Sequence, residues 1–108
     1  MKFELAVPDQ VVREDPNMVR FVHALQSMLD RMSTSHFKYG PTGDKYPESA
    51  SAVDSLRERL KRYDKTGNTE ECLDSANFAV IEYILPGHPK AHFRAQSSAE
   101  SPGLEWKS

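Results

Sequence analysis

Three runs of apolar residues at helical spacing, each closed by a helix-ending residue, most constrain what this chain can fold into. In the first, Met18, Val22, Leu25, Leu29 and Met32 recur three or four residues apart, and Phe21 and Met28 widen the stripe. Asp15 is an N-cap candidate, and Pro16 occupies the first helical position, where a missing N–H costs nothing. The spacing predicts a helix over 16–33, about 27 Å long at 1.5 Å per residue. The Ser33-Thr34-Ser35 cluster is expected to end it.

The second run, Ala50, Val53, Leu56, Leu60 and Tyr63, predicts a helix over 49–65. Thr66-Gly67-Asn68 closes it with a left-handed glycine. The third run, Leu73, Ala76, Val80, Ile81 and Ile84, predicts a helix over 69–85 that stops at Pro86-Gly87. Asn68 and Glu71 read as a capping-box variant at its start. So tight a turn between the last two helices implies an antiparallel hairpin.

What flanks these runs is irregular. Residues 1–14 read as an extended arm, in which Phe3, Leu5 and Val7 alternate until Pro8 intervenes. Residues 34–48, broken by Pro41, Gly43 and Pro47, read as a loop unusually rich in basic and aromatic groups. Residues 86–108 read as an extended C-terminal tail, since Pro86, Pro89 and Pro102 deny it a long helix. The expected fold is therefore all-α: an antiparallel helical hairpin plus an N-terminal helix over 15–85, with an extended tail. With 108 residues the chain has room for one domain and a small core, so assembly as an oligomer is expected.

Composition narrows the function. A net charge of −2 argues against a general nucleic-acid binder, which needs a basic excess. The single cysteine, Cys72, permits neither an internal disulfide nor a cysteine zinc cluster, and suits a reducing compartment. His88 and His92 are four apart, but the prolines around them discourage the regular helix a zinc pair would use. No apolar run approaches the ~18–20 residues that span a bilayer, and the N-terminus lacks a secretory core. A cytoplasmic location, without membrane partners, is expected.

The most chemically suggestive set is acidic. Glu71 and Asp74 are an i, i+3 pair, and Asp54 and Glu58 are an i, i+4 pair on the preceding helix. Facing each other, the four would form an oxygen-rich pocket for Mg²⁺ or Mn²⁺ that binds phosphate and activates water. A purely structural reading accounts for the same residues. Glu71 and Asp74 then serve the cap and dipole of their helix, while Asp54 and Glu58 pair with Arg57, Lys61 or Arg62.

Glu71-Cys72-Leu73-Asp74 resembles the E-x-x-D half-motif of MazG-type all-α nucleoside triphosphate pyrophosphohydrolases. The resemblance covers roughly residues 18–85. It implies antiparallel helices in an obligate oligomer and hydrolysis of a nucleoside triphosphate to monophosphate and pyrophosphate. It also implies catalytic, metal-holding roles for Glu58, Glu71 and Asp74, while Asp54 stands one residue off the family's position and is a candidate fourth ligand on its spacing alone. The family's other half-motif, E-x-x-E, is interrupted here by Ser55. The stretch from Glu71 through Asn77-Phe78-Ala79 to His92-Phe93-Arg94 also looks like small phage-encoded proteins of MazG-like type, for which the location is the host cytoplasm.

Basic and aromatic groups supply a candidate nucleotide site. Lys38, Arg57, Lys61 and Arg94 are candidates for phosphate, Tyr39 and His92 for base or phosphate, and Asn77 for either. The basic tail is expected to cross onto a neighbouring subunit. Three functions remain open on these residues. One is a metal-dependent pyrophosphohydrolase. Another is a non-catalytic protein that sequesters a nucleotide, for example a signalling nucleotide, which the interrupted acidic motif favours. The third is a small helical adaptor that binds another protein.

Overall fold

The computed structural model describes residues 1–96, so the expected placement of Trp106 and the end of the tail lies outside it. Its described residues form four α-helices and a short 3₁₀ turn, with no strand: α1 Asp9–Glu14, α2 Met18–Tyr39, α3 Ala52–Thr66 and α4 Glu70–Ile84. The all-α architecture and the α3–α4 hairpin match the expectation. No described helix is long and apolar enough to cross a membrane.

The hairpin turn follows from its residues. Gly67 sits in the left-handed region at φ 67°, and its N–H reaches Tyr63 O at the end of α3. Asn68 caps differently from the expected box. Its Oδ1 accepts from Glu70 N at 3.1 Å, and Glu71 is turned to another use described below. At the start of α3, Ser51 Oγ accepts from Asp54 N at 3.1 Å, which fixes the helix start at Ala52, three residues later than expected.

Three boundaries differ from the sequence reading. The N-terminal arm is not extended throughout, because Asp9–Glu14 forms a short helix. Pro8 ends the apolar alternation, and its carbonyl accepts from Val11 and Val12 to start the turn. The long helix begins at Met18, not Pro16, since Asp15 Oδ1 holds Asn17 N at 2.9 Å in a turn ahead of it. At its other end α2 continues six residues past Ser33. Ser33 Oγ and Thr34 Oγ1 donate back to the carbonyls of Leu29 and Asp30, which keeps the hydroxyls within the helix. Gly40, at φ 85° and ψ −172°, stops it.

Helix α2 lies antiparallel to α4. Met28 meets Asn77, and Arg31, one turn further along α2, meets Asp74, one turn earlier on α4. The 40–51 segment crosses the end of this layer and delivers Tyr46. Its side chain joins Ala52 and Ile81 in a small core, flanked by Met32, Ala50, Phe78 and Leu85. Among the described residues no side chain is fully buried. Phe21, Leu29, Leu60, Tyr63, Val80, Tyr83 and Ile84 remain open to solvent, although several belong to the expected core stripes.

Candidate ligand cleft

A cleft of about 300 Å³ opens where α2, α4 and the 40–51 segment meet. Its apolar floor is Met32, Phe78, Ile81 and Tyr46, and Tyr39, His36 and Lys45 stand at the mouth. The Lys45 ammonium lies 5.5 Å from the centre of the Tyr39 ring and 5.6 Å from that of Tyr46, so it bridges two aromatic faces. Tyr46 is buried, whereas Tyr39 exposes 72% of its surface and leaves a ring face open to a ligand.

One wall is an ionic node that ties three helices together. Asp74 on α4 accepts from Arg31 on α2 at 3.1 Å and lies 3.4 Å from Arg59 on α3. Arg59 reaches Glu71 at 3.2 Å, and Arg31 extends to Glu70 at 3.6 Å. Glu71 and Asp74 are mostly buried, at 14% and 18% side-chain exposure. Carboxylates so placed need positive partners, and the two guanidiniums supply them. All four ion pairs run through Nη1. A guanidinium carries five N–H donors, so each arginine retains donors for a ligand.

Asn77 lies deeper, with 8% of its surface exposed. Its Nδ2 donates to Met28 O at 3.1 Å. A carbonyl only accepts, so the amide orientation is fixed: nitrogen toward α2, oxygen away. No described donor reaches Oδ1, which is not fully shut off from solvent.

Of the residues expected to form a site, the structure brings Glu71 and Asp74 together around Arg59, and it places Tyr39, Asp74 and Asn77 on the cleft. It does not bring Asp54 and Glu58 to them. Asp54 pairs with Arg57 at 3.6 Å and Glu58 with Arg62 at 3.7 Å, all on the exposed face of α3. Among the described residues no three His, Cys, Asp or Glu side chains converge as a metal site would require. The residues present therefore do not fit a Mg²⁺ or Mn²⁺ centre of the expected kind. The physical reason is competition, since the two converged carboxylates already hold guanidiniums.

The basic candidates divide in the same way. Lys38 lines a groove on the other side of Arg31 and Arg59, while Arg57 and Lys61 lie apart from the cleft. His92 and Arg94 do not line it either. The tail folds back locally, with His92 Nδ1 2.9 Å from Lys90 O and the Phe93 ring edge-on to Tyr83. Sequence reasoning missed Arg31 and Arg59, and it marked Lys45 and Tyr46 only as part of the basic and aromatic loop, not as site residues. A signal for two of them was present: Arg31 and Arg59 directly precede stripe residues Met32 and Leu60, at the margin of each apolar face.

No family model matches the chain, and no curated protein or solved structure matches it either.

Proposed function

We propose that this protein binds a nucleotide in the cleft and does not hydrolyse it. The observation that carries the reading is the arrangement of unlike groups around one small cavity. Arg31, Arg59 and Lys45 are positive at its wall and mouth, Tyr39 offers an open ring face, and the floor is apolar. Guanidiniums grip phosphate, and aromatic faces stack bases. A volume of about 300 Å³ is at the lower end for ligand pockets and suits one nucleotide unit. The carboxylates of Glu71 and Asp74 hold the arginines in position, so their orientation does not have to be found on binding.

The MazG-like reading assigns Glu58, Glu71 and Asp74 to metal-assisted hydrolysis. The pairing of Glu71 and Asp74 with arginine, and the distance of Glu58 from them, favour the binder over the hydrolase. The many exposed apolar side chains support a homo-oligomer, and a role in nucleotide sequestration suits the cytoplasm.

The test is incubation with a panel of nucleoside triphosphates and Mg²⁺ or Mn²⁺, followed by chromatography of the bound and free nucleotide. Unchanged nucleotide recovered from heat-denatured protein is the expected result. Stoichiometric release of pyrophosphate, abolished by Glu71→Gln or Asp74→Asn, would establish the hydrolase instead.

A further inference from the structure

The cleft is not the only cavity that meets the arginine node. On the other side of Arg31 and Arg59 an open groove of about 570 Å³ runs along α2 past Asp30, Thr34 and Lys38. Arg31, Arg59, Asp74 and Tyr39 line both the cleft and the groove. We infer that the preferred ligand is a dinucleotide, with one nucleotide unit in the cleft, its phosphodiester on Arg31 and Arg59, and the second nucleoside in the groove. This inference rests on the nucleotide reading above and deepens it.

The node can hold the bridging phosphate. Arg31 donates to Asp74 and Arg59 to Glu71, each through Nη1, and no described acceptor takes their Nε or Nη2. Two such N–H groups on one guanidinium are enough to hold a phosphate in a bidentate way. Because each arginine lines both cavities, a group held there has room to continue on either side.

Charge decides between a second nucleoside and a longer phosphate chain. The two guanidiniums already face Glu71 and Asp74, with Glu70 at 3.6 Å, so the node carries no net positive charge. A phosphodiester brings one negative charge, whereas a polyphosphate brings several, and each further charge needs a cation of its own. Among the described residues the groove offers one cation beyond the arginines, Lys38, and sets the Asp30 carboxylate against it. Asp30 Oδ1 accepts from Gln26 Nε2 at 2.9 Å, and Oδ2 remains an acceptor. A carboxylate oxygen repels phosphate, but it suits the hydroxyls of a ribose or an N–H of a base. Leu73 and the exposed Tyr39 ring supply apolar contact for the rest of a nucleoside. Volume agrees, since the groove is larger than the cleft of about 300 Å³ that accommodates the first unit.

The experiment titrates the full chain calorimetrically, in EDTA, with the linear dinucleotides ApA, GpG, CpC and UpU, the cyclic dinucleotides of adenine and guanine, the four nucleoside 5′-monophosphates and ATP. At least one dinucleotide, linear or cyclic, is expected to bind about tenfold or more tightly than the matching monophosphate, because the second unit binds intramolecularly once the first is seated. Dinucleotides that bind no more tightly than the mononucleotides overturn the inference while leaving nucleotide binding intact. No binding by any of these compounds overturns both. The second arm uses Thr34, an exposed residue of α2 that lines the groove and not the cleft. Thr34→Trp sets a bulky ring in the groove and is expected to abolish the difference between dinucleotide and mononucleotide, with circular dichroism confirming that the helices remain. Retention of that difference in the variant would overturn the placement of the second unit.

Discussion

Arg31 and Asp74, forty-three residues apart in sequence, are joined by a 3.1 Å hydrogen bond that fastens α2 to the α3–α4 hairpin. Apart from it, the α2–α4 contact rests on the Asn77–Met28 bond, the weaker pair to Glu70 and a few partly buried side chains. Replacing Arg31 by Leu removes the bond and leaves Asp74 with Arg59 alone. Because Arg31 is about a third exposed, solvent screening limits the loss to about 1 kcal/mol. For a domain of this size that corresponds to about 4–8 °C in melting temperature. Thermal unfolding followed by circular dichroism checks it, and an unchanged melting temperature would mean that α2 is held by other contacts.

Gly40 ends α2 at φ 85° and ψ −172°, a region that side-chain-bearing residues avoid. An added Cβ would meet only Asp44 Oδ2, at an ordinary 3.8 Å, so the backbone itself is the obstacle. Gly40→Ala is expected to destabilise by about 1–3 kcal/mol. Gly43, whose added Cβ would meet open space, supplies the control: Gly43→Ala should change little. Urea titration of both variants gives the comparison.

Ser75 points the other way. It is 6% exposed, and its Oγ has no hydrogen-bond partner among the described residues. Removing an unpaired buried hydroxyl removes its desolvation cost and leaves only a small void. Ser75→Ala is expected to raise stability by up to about 1 kcal/mol, a gain visible as a higher urea midpoint. A clear loss of stability would show that the hydroxyl has a partner in solution.

The exposed apolar residues set an expectation for assembly. Val80, Tyr83 and Ile84 form one uncovered face of α4, and Phe93 extends it through its contact with Tyr83. Leu60 and Tyr63 are open on α3. Light scattering at micromolar concentration is expected to report a dimer or tetramer, and Tyr83→Ser with Ile84→Ser to shift it toward monomer. A monomer in the unmodified chain would leave these faces for a different partner and favour the adaptor reading.

Much of the fold was legible because it depends on local rules. The stripes of α3 and α4, the left-handed Gly67 and the short turn together dictate a hairpin. The extension of α2 to Tyr39 was not, because serine and threonine clusters usually end helices, and only back-bonding to Leu29 and Asp30 reconciles them with one. The candidate site was legible only in part. Glu71, Asp74, Asn77 and Tyr39 were singled out from their types and spacing. Which charges meet is decided by long-range packing: Arg59 falls on the Glu71–Asp74 side of α3, while Asp54 and Glu58 fall outside. A rotation of α3 by one residue, about 100° about its axis, separates an acidic pocket from an arginine-lined one, and spacing alone does not report that rotation.

In the proposed binding mode, Arg31 and Arg59 hold the phosphate of a nucleotide without help from a metal. Calorimetric titration of ATP and CTP into the protein and into Arg59→Ala, both in EDTA, addresses it most directly. At least one of the two nucleotides is expected to bind the unmodified protein with the chelator present. Arg59→Ala is expected to weaken that binding about ten- to hundred-fold, the equivalent of roughly 1.5–3 kcal/mol for a charged hydrogen bond. Binding that appears only when Mg²⁺ or Mn²⁺ is restored, or an Arg59→Ala affinity equal to that of the unmodified protein, would contradict it.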